Sequence, residues 1–579
     1  MQATEWVGRT SVRRLIAFVC VVTLVCTSVQ FFPVKANGDS AVQVYEAEQA
    51  EFSDTLFVAS DVPGYSGTGY VGRFEQNSDY IHFDIEVAEA GLYDLVVGYG
   101  AIFGGGKVID IKVNGSLIGN VSIGQSGFGE VSAGKILLNQ GTNQVTISPN
   151  WTWLAIDYIK ISPAPAPEPH QAAKQLINPN ATQATKALHS YLIDHFGTNI
   201  LSGQQEYPNA PLQETQYVYE NTGKYPAILG LDFMDNSPSR VERGTSADEV
   251  PGAIDWVNNR GGIVTLMWHW NAPKGLIDEP GKEWWRGFYT DATTFDLAYA
   301  MSHPESEDYQ LLIRDIDVIA EELKRLQDAG VPVLWRPLHE AEGGWFWWGA
   351  KGPQPAIELW KLMYDRMTNH HQLNNLIWVW NSKSKDWYPG DEYVDVASFD
   401  SYPGSYNYSP MSAQYNELVE LSSNKKLIAM TENGPIPDPD LLQIYHANYS
   451  WFVSWNGAVR SDNSIEHLNK VYHHDYVITL DELPSLQTYL VDSCIEELTE
   501  RIEVYTTTGE LSGPLAVQVS NSFRQVRHHY ENGRYYQAVN HLDNITKQLE
   551  KSASKGDAEP TMVQDLQSAV NELTIAIIE

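Results

Sequence analysis

The chain has 579 residues, a formal net charge of -35 and only three cysteines. Its length exceeds what one ordinary core supports, so two to four domains are expected. A surface this acidic repels polyanions, which argues against nucleic acid and anionic lipid as partners and favours a neutral partner.

Residues 1–36 are typical of a secretory signal peptide. Three arginines precede an apolar run over residues 15–29, and the segment ends in a loose small-residue cleavage pattern at 34–36. The run is short for a membrane span, although an uncleaved anchor is the alternative. Cleavage removes four basic residues and one acidic residue, which takes the formal charge from -35 to -38 and leaves Cys494 without a disulfide partner. We therefore expect a secreted, extracellular protein that does not associate with membranes.

Residues 37–163 are predicted to form an all-β sandwich or jelly roll. Short β-prone runs alternate with Gly, Asn and Ser, and Asn114-Gly115 is a strong hairpin signal. The letters of Gly67–Gly72 match the dinucleotide pattern GxGxxG, but no strand clearly precedes them and no helix follows, so they do not indicate a nucleotide site. The predicted strands are Tyr80–Val87, Gly91–Tyr99, Val108–Val113, Gln144–Ile147 and Leu154–Ile161.

The same segment resembles carbohydrate-binding module family 35. The similarity lies in Tyr45-Glu46-Ala47-Glu48, Tyr65–Gly72, Val113-Asn114-Gly115, Gly141-Thr142-Asn143 and Ile156-Asp157-Tyr158-Ile159. The resemblance implies a structural Ca²⁺ bound by Glu46, Glu48 and Asp157, and carboxylate oxygens are the ligands that this hard cation prefers. The alternative is that these acidic residues form a solvated edge.

Loop aromatics at the end of a sandwich are typical platforms for sugar rings. The candidates here are Tyr65, Trp151 and Trp153. One of the two tryptophans is expected to lie in the core, because residues two apart on a strand share a face and Trp is mostly buried on average. The proline-rich segment that follows extends as polyproline II, so residues 164–174 are predicted to be a linker.

Residues 175–483 alternate buried-strand runs with helical stretches such as Tyr309–Ala329 and Pro355–Asn369, which predicts a (β/α)8 barrel. All strand ends of a parallel barrel open on one face, so the side chains there converge. The predicted strands are Asn199–Gly203, Pro226–Asp232, Gly262–His269, Val331–His339, Leu376–Asn381, Val394–Tyr402, Lys426–Glu432 and Trp451–Trp455. The side chains expected at their ends are Gln204, Gln205, Asp232, His269, Glu340, Asn381, Asp400, Tyr402, Glu432 and Trp455.

The fourth run ends in Arg336, His339 and Glu340, and four consecutive aromatics follow at Trp345–Trp348. We expect these aromatics to be exposed, because flat apolar faces beside a carboxylate suit a sugar ring; the alternative is an aromatic core plug. Glu432 ends the seventh run. A retaining glycosidase needs two carboxyl groups about 5 to 5.5 Å apart, one protonated and one ionised, and Glu340 with Glu432 fits that need.

The barrel resembles glycoside hydrolase family 26, which is dominated by endo-β-1,4-mannanases. The motifs are His339-Glu340 with Trp345–Trp348, Trp268-His269-Trp270-Asn271, Asp400-Ser401-Tyr402-Pro403 and Thr431-Glu432-Asn433-Gly434. The resemblance implies that Glu340 is the general acid/base and Glu432 the nucleophile. It further implies that Tyr402 hydrogen-bonds the nucleophile, that His269 and His339 bind sugar hydroxyls, and that Trp285, Trp345 and Trp455 stack on sugar rings.

Other polar residues near these motifs have simpler interpretations. Asp400 is expected to be structural, since carboxylates at barrel ends often only orient their neighbours. Glu342 is expected to be exposed. A zinc site is not indicated, because the sequence contains neither HExxH nor a pair of cysteines after cleavage.

Residues 484–579 are predicted to form a small α-helical bundle of unknown role. Helix formers dominate, and Leu515, Val519, Phe523 and Val526 recur at helical spacing. The segment resembles the helical C-terminal appendages of secreted polysaccharide-degrading enzymes. Cys494 is expected to lie in this bundle as a small apolar residue. The predicted helices are Leu486–Tyr505, Pro514–Glu531, Tyr535–Lys551 and Pro560–Ile578.

Together the two resemblances imply a secreted, retaining endo-β-1,4-mannanase acting on mannan, glucomannan or galactomannan. The sandwich module would hold the enzyme on its β-mannan polysaccharide and raise its effective concentration. No cofactor is expected for catalysis, and a monomer is expected. Two alternatives remain open: an endo-β-glucanase or xylanase on the same scaffold, and a non-catalytic carbohydrate-binding protein.

Overall fold

The computed structural model describes residues 42–72, 74–151, 153–165, 168–208, 212–556 and 558–578. The predicted signal peptide and the side chain of Trp151 lie outside the described part of the chain. No helix among the described residues combines the length and apolar character that a membrane crossing requires.

The N-terminal module is a sandwich of two antiparallel sheets, which confirms the predicted fold. Its strands are β1 Gln43–Glu46, β2 Glu51–Phe52, β3 Phe57–Ala59, β4 Tyr70–Gly72, β5 Ile81–Val87, β6 Gly91–Ala101, β7 Lys107–Val113, β8 Ser116–Ile123, β9 Gly127–Leu138, β10 Gly141–Trp151 and β11 Ala155–Pro163. One sheet has the order β3-β4-β11-β6-β9, with β1 also paired to β11, and the other has the order β2-β5-β10-β7-β8. Ile81, Phe83 and Ile85 alternate inward along β5 and pack into the core between the sheets.

The barrel is closed by eight parallel strands, which confirms the predicted architecture. They are β13 Gly203–Gln205, β14 Ile228–Asp232, β15 Ile263–Met267, β16 Val333–Arg336, β17 Leu376–Asn381, β18 Val396–Ser401, β19 Leu427–Asn433 and β20 Phe452–Ser454. A separate parallel pair consists of β12 Ile200–Leu201 and β21 Val477–Ile478.

The first barrel strand differs from its prediction. The apolar pair Ile200–Leu201 leaves the barrel to pair with Val477–Ile478, and the barrel strand begins only at Gly203. A Cβ at Gly203 would lie 2.5 Å from the carbonyl oxygen of Phe452, so only glycine permits this approach.

Helices surround the barrel strands. They are α1 Gln183–His195, α2 Gln213–Thr222, α3 Pro238–Val241, α4 Val250–Ile254, α5 Leu297–Ser302, α6 Glu307–Asp328, α7 Pro353–Asp365, α8 Ser412–Leu421, α9 Pro439–Ile444, α10 Ala458–Ser461 and α11 Ile465–Tyr472. Single π-helical turns at Asp255–Asn259 and Arg366–His370 extend α4 and α7. Short 3₁₀ turns lie at Ala47–Gln49, Phe233–Asn236, Trp284–Arg286, Thr290–Ala292, Ala341–Gly343, Lys385–Trp387, Asp391–Tyr393 and Leu480–Glu482.

Helix α6 shows why these segments are helical. Ser306 caps its N-terminus by accepting a hydrogen bond from the backbone N–H of Tyr309, and the first turn carries two acidic residues. Leu312, Ile316, Ile319 and Leu323 recur at helical spacing and are buried against the barrel.

The C-terminal segment is helical, as predicted, with α12 Leu486–Thr508, α13 Gly513–Glu531, α14 Tyr535–Lys555 and α15 Pro560–Ile578. The four helices share one hydrophobic core, which also contains Ala187 of α1 in the barrel domain. Cys494 is a free thiol packed against this core, and burial raises its pKa to about 12. The thiol is therefore protonated and unreactive at neutral pH.

Candidate active site

Three acidic side chains meet at the ends of the fourth, sixth and seventh barrel strands. One carboxylate oxygen from each of Glu340, Asp400 and Glu432 lies within 4.8 Å of the others. Across the residues that the structure describes, no other set of three His, Cys, Asp or Glu side chains converges in this way. Like charges at this distance repel, so a cation or a proton must stabilise the cluster.

The guanidinium of Arg336 supplies that cation. It is buried at the end of β16, where one nitrogen donates to Asp400 Oδ2 at 2.9 Å and another donates to Glu432 Oε2. Burial alone lowers the pKa of Arg336, but the charges of Asp400 and Glu432 outweigh it and raise the pKa above the usual value. The permanently charged guanidinium pairs with two of the three carboxylates, so the cluster is an ion-pair network and not a metal centre.

Glu432 is held by two strong donors. Besides Arg336, the hydroxyl of Tyr402 donates to Glu432 Oε1 at 2.7 Å. Burial and the charge of Asp400 raise the pKa of Glu432, whereas Arg336 and Tyr402 lower it by bonding the ionised form. An oriented carboxylate with its charge already satisfied is the form that a nucleophile needs.

Glu340 has a different environment. Its Oε2 accepts one hydrogen bond, from the indole N–H of Trp345 at 2.9 Å. Burial, followed by the charges of Asp400 and Glu432, raises the pKa of Glu340 well above its usual value. Because Glu432 has a cation and a hydroxyl as donors and Glu340 has one indole, the shared proton of the pair resides on Glu340.

The loop that carries Glu340 is held in a strained conformation. Leu338 and Glu340 both have positive φ angles, of 50° and 52°. Such angles cost about 1 to 3 kcal/mol each in residues other than glycine, and they persist where the surroundings enforce them. The side chain of Asn381 helps to hold this loop. Its Oδ1 accepts a hydrogen bond from the backbone N–H of Glu340 at 2.9 Å, and its Nδ2 donates one to Asp400 Oδ1 at 2.9 Å.

The aromatic run after Glu340 is mostly buried, which corrects the expectation of an exposed surface. Only Trp345 is open, with 47% of its surface exposed, whereas Phe346, Trp347 and Trp348 are at most 4% exposed. The indole N–H of Trp348 donates to the carbonyl oxygen of His339 at 2.9 Å. The last three aromatics therefore form the core plug of the alternative interpretation. They pack beneath the surface against the loop that carries Glu340.

Trp345 lies directly over Gly343. A Cβ at Gly343 would lie 2.1 Å from the ring atoms of Trp345, so the glycine allows the indole to lie flat against the loop. In this position Trp345 combines an exposed face with an N–H on the carboxyl group of Glu340.

The other predicted sugar contacts are distributed around the same strand ends. The buried rings of His269 and His339 meet nearly at right angles with 3.2 Å between their Nε2 atoms, and the ring centroids of Trp455 and His269 are 6.1 Å apart. Trp285 is exposed but contacts the site only indirectly, because its carbonyl oxygen accepts from Arg240, which stacks over Phe288 beside His269. The structure thus brings together every predicted barrel residue except Trp285.

Residues that the motifs did not assign complete the site. Arg336 ends the apolar run of the fourth strand, and its pairing depends on acidic residues of two other strands. Asp232 and Asn381 were expected at strand ends without a function, and a lone Asp or Asn gives no further signal in the sequence. Glu342 is exposed as expected, although its carboxylate accepts from the hydroxyl of Ser382 at 2.6 Å.

In the module, the predicted calcium ligands surround the loop at Ser66–Thr68. Both oxygens of Asp157 accept from the backbone N–H of Ser66, at 2.9 and 3.0 Å, and the hydroxyl of Ser66 donates to Glu46 Oε1 at 2.9 Å. Glu48 Oε1 accepts from the backbone N–H of Thr68 at 2.8 Å. The second oxygens of Glu46 and Glu48 are buried without a hydrogen-bond partner among the described residues.

This donor set fits a divalent cation. Burial raises the pKa of Asp157 to about 6, and the charges of Glu46 and Glu48 add to the shift. A Cβ at Gly67 would lie 2.5 Å from Glu48 Oε1, so the loop approaches the carboxylates as closely as a glycine allows. The three carboxylates do not converge as tightly as the trio in the barrel.

The predicted sugar contacts of the module lie in two places. Trp153 is 53% exposed and meets Phe103 edge to face, with 6.0 Å between ring centroids. Phe103 lines a small cleft together with Asp61 and Tyr70. Tyr65 packs against Tyr70 instead of lining that cleft.

Comparison with known proteins identifies the families to which the chain is similar. Family models match the chain over residues 177–482 (glycosyl hydrolase family 26), 43–164 (carbohydrate binding module family 35) and 495–574 (FIMAH domain). A mannan endo-1,4-beta-mannosidase of Thermothelomyces thermophilus is 50% identical over 457 residues, which cover 78% of this chain and 92% of that protein. Mannan endo-1,4-beta-mannosidase B of a Piromyces species is 36% identical over 453 residues, covering 76% and 77% of the two chains.

Solved structures agree with the sequence relatives. The Podospora anserina GH26-CBM35 beta-(1,4)-mannanase is 48% identical, with a TM-score of 0.56, and covers 77% of this chain and 100% of its own. A ruminal GH26 endo-beta-1,4-mannanase is 32% identical, with a TM-score of 0.57, and covers 76% and 98%. The resemblances inferred from the motifs are therefore confirmed. The chain belongs to glycosyl hydrolase family 26 and is a glycoside hydrolase that carries a family 35 carbohydrate-binding module.

Proposed function

We propose that the protein is a secreted, retaining endo-β-1,4-mannanase that cleaves internal bonds of mannan, glucomannan or galactomannan. The observation that carries the proposal is the pairing of Glu340 and Glu432. One oxygen of each lies within 4.8 Å of the other, and Glu432 has a guanidinium and a phenol hydroxyl as donors where Glu340 has one indole N–H. The carboxyl groups of retaining glycosidases lie about 5 to 5.5 Å apart and those of inverting enzymes about 6.5 to 9.5 Å apart, so a close approach of the two side chains favours double displacement.

In the first step the protonated carboxyl group of Glu340 gives its proton to the leaving glycosidic oxygen. The carboxylate of Glu432 attacks the anomeric carbon from the opposite face and forms a glycosyl-enzyme ester, while Tyr402 and Arg336 keep it oriented. In the second step Glu340, now ionised, removes a proton from water, and that water releases the sugar from Glu432. Carboxyl groups perform every step, so the chemistry needs no cofactor.

The substrate assignment rests on the relatives and on the shape of the site. The relatives compared above are named as mannan endo-1,4-beta-mannosidases or mannanases. Trp345 and Trp455 offer aromatic faces beside the carboxyl pair, and His269 and His339, whose Nε2 atoms contact each other, would line the position of the sugar at the cleaved bond. Trp285 would extend this surface to a more distant sugar. An endo-β-glucanase or xylanase on the same scaffold is the alternative.

The proposed domain division is a signal peptide at 1–36, the module at 37–163, a linker at 164–174, the catalytic domain at 175–483 and the helical bundle at 484–579. The module would hold the enzyme on polysaccharide through Tyr65, Trp151 and Trp153, with Ca²⁺ bound by Glu46, Glu48 and Asp157. We propose that the mature enzyme is extracellular and monomeric.

Activity on four polymers tests this proposal. Purified protein is incubated with glucomannan, galactomannan, mixed-linkage glucan and xylan, and reducing ends, viscosity and product sizes are followed. Rapid loss of viscosity on the two mannans alone, abolished in Glu432→Gln, is the expected result. Activity confined to glucan or xylan would move the assignment to the alternative, and binding without hydrolysis on all four polymers would leave a carbohydrate-binding protein.

A further inference from the structure

Asp232 is a buried carboxylate that the proposed catalytic steps do not use. It ends β14, and its contacts converge on the next strand end. Oδ1 accepts the backbone N–H groups of His269 at 3.0 Å and of Met234 at 2.9 Å, while Oδ2 lies 2.6 Å from Nδ1 of His269. One side chain therefore fixes both the main chain and the ring of His269.

These contacts determine which nitrogen of His269 carries a proton. The carboxylate acts as an acceptor toward two backbone N–H groups, and a distance of 2.6 Å to a ring nitrogen requires a proton between the two atoms. A carboxyl group is a stronger acid than imidazolium, so that proton resides on Nδ1 of His269. Only one of the two Nε2 atoms that face each other across 3.2 Å can carry a hydrogen, because two N–H groups at this distance would repel each other.

The other ring nitrogen of His269, Nε2, contacts His339. The two Nε2 atoms are 3.2 Å apart, and His339 Nδ1 is buried without a partner among the described residues. Burial, with the charge of Arg336, lowers the pKa of His339 well below its usual value, so the ring is neutral and carries one proton. A proton on Nδ1 would be an unsatisfied buried donor; on Nε2 it bonds to His269.

The result is a directed chain in which Nε2–H of His339 donates to His269 and Nδ1–H of His269 donates to Asp232. His339 precedes the proposed acid Glu340 directly, in the loop with two positive φ angles. We propose that Asp232 is a positioning residue for hydrolysis: its carboxylate sets the tautomer of His269, which holds the ring of His339 and with it the loop that carries Glu340. This inference rests on the proposed function of Glu340.

Asp232→Asn tests the chain with little change in volume. An amide that keeps its oxygen toward the two backbone N–H groups turns its NH₂ toward His269, which reverses every donor and acceptor in the chain. We expect kcat/KM on a soluble manno-oligosaccharide to fall about 10- to 100-fold, the usual loss for such a supporting group. Most of the loss should be in kcat, because the acid loop and not the outer sugar sites is disturbed.

Asp395→Asn is the matched control. Asp395 is also buried, and its carboxylate accepts the backbone N–H groups of Ile177 at 2.8 Å and Trp378 at 2.9 Å, with no histidine as a partner. Asp395→Asn should lower Tm while kcat/KM stays within about twofold of the unmodified enzyme, measured where both are folded. An equal loss of kcat/KM in Asp232→Asn and Asp395→Asn would show a merely structural role and overturn the proposal.

A double-mutant cycle separates action through His269 from any other route. In a His269→Ala background, Asp232→Asn should change kcat/KM by less than about twofold, because the group it acts through is absent. If Asp232→Asn lowers kcat/KM as much in the His269→Ala variant as in the unmodified enzyme, the inference is wrong.

The tautomer of His269 can be measured directly. This measurement needs neither enzymatic activity nor a folded Asp232→Asn variant. Two-bond ¹H–¹⁵N spectra of the full chain, with the His269 signals identified by their loss in His269→Gln, should show the Nδ1–H form. An Nε2–H form would overturn the proposal even in an active enzyme. Absence of mannan hydrolysis with the Nδ1–H form present would instead refute the proposed function and leave the hydrogen-bond chain intact.

Discussion

Glu340 and Glu432 are chemically identical side chains, and the residues around them divide their roles. Glu432 receives a guanidinium and a phenol hydroxyl, whereas Glu340 receives one indole N–H. Asp400 accepts hydrogen bonds from Arg336, Asn381 and Thr431, and its charge favours a protonated Glu340. Asp400 therefore has an electrostatic effect in addition to the structural role expected from its position.

The charge of Asp400 can be removed with little change in shape. Asp400→Asn should lower the pKa of Glu340, because one of the charges that raises it is lost. Since the proposed first step needs protonated Glu340, the high-pH side of the kcat/KM profile should move to lower pH, by about one unit for a charge at this distance. Glu342→Gln, on the same loop but exposed, should leave the high-pH side in place. A high-pH side that stays or moves upward in Asp400→Asn would contradict this electrostatic role.

Replacing the indole of Trp345 should raise the pKa of Glu340, which is the opposite of the effect expected for Asp400→Asn. Trp345→Phe keeps a flat ring but removes the N–H that bonds the ionised form of Glu340 and lowers its pKa. The high-pH side of the profile should therefore move upward, by up to about one unit. Trp455→Phe serves as the control, because no hydrogen bond joins its side chain to the carboxyl pair in the described structure. A downward shift in Trp345→Phe would show that the indole does not stabilise the ionised acid.

At the scale of whole elements, patterns along the chain predicted most of the fold. The fifth barrel strand, Leu376–Asn381, has the predicted ends, and helix α14 begins at Tyr535 as predicted. The strand is one continuous buried run, and the helix has buried apolar residues at helical spacing. The first barrel strand was misplaced because its pairing depends on Val477–Ile478 and Phe452, which are distant in sequence. No local pattern records such contacts.

The aromatic run shows a different limit. Trp345–Trp348 is uniform in composition, yet only Trp345 is exposed. Which of the four faces solvent is set by the turn at Gly343 and Gly344 and by partners such as His339, whose carbonyl oxygen accepts from Trp348. Motif matches predicted that Glu340 and Glu432 meet, but the pairing of Arg336 with two acidic residues emerges only from the closed barrel.

The calcium proposal makes a prediction at the scale of the module. Without a cation, the folded-state pKa of Asp157 is about 6, above the usual range of an unfolded Asp, so the folded module binds a proton that the unfolded chain releases. Stability should therefore fall as pH rises from about 4 through 6. Ca²⁺ should bind the ionised carboxylates and raise the Tm of the module transition at pH 7.5. The effect should be smaller at pH 5, where a proton competes with Ca²⁺ for Asp157.

Thermal unfolding of the full chain with Ca²⁺ or with a chelator measures this effect. The variant Glu48→Gln identifies the module transition, because it should weaken the response to Ca²⁺ and reduce the pH dependence. Glu86→Gln, at an exposed position of β5 in the same module, should change neither. If Ca²⁺ does not change the Tm of the module transition in the unmodified chain, the proposed calcium site is wrong.

At the scale of the whole molecule, the described domains contact one another through specific pairs. The module meets the barrel where the backbone N–H of Leu137 donates to the hydroxyl of Tyr445 at 3.2 Å. The linker follows the barrel surface, with the backbone N–H of Gln171 donating to the carbonyl oxygen of Asn424 at 3.0 Å. The helical bundle covers α1, where Tyr489 meets Tyr191 edge to face at 5.2 Å between ring centroids.

Removing the bundle should separate stability from catalysis. A chain that ends at residue 484 exposes Ala187 and Tyr191 of α1, which the bundle now covers, so the barrel should unfold at a lower temperature. Hydrolysis of soluble mannan at 25 °C should stay within about twofold, because the described bundle residues make none of the hydrogen bonds that form the carboxyl cluster. A large loss of kcat in a folded truncated chain would show that the bundle acts on the site.

The central claim is that Glu340 and Glu432 hydrolyse a β-mannosidic bond by double displacement. The most direct measurement is ¹H NMR of the anomeric protons released from a β-1,4-manno-oligosaccharide in the first minutes of reaction, before the products mutarotate. We expect the β-anomer to appear first and Glu432→Gln to release nothing. First appearance of the α-anomer would mean inversion through a single displacement and would contradict the assignment of Glu432 as the nucleophile.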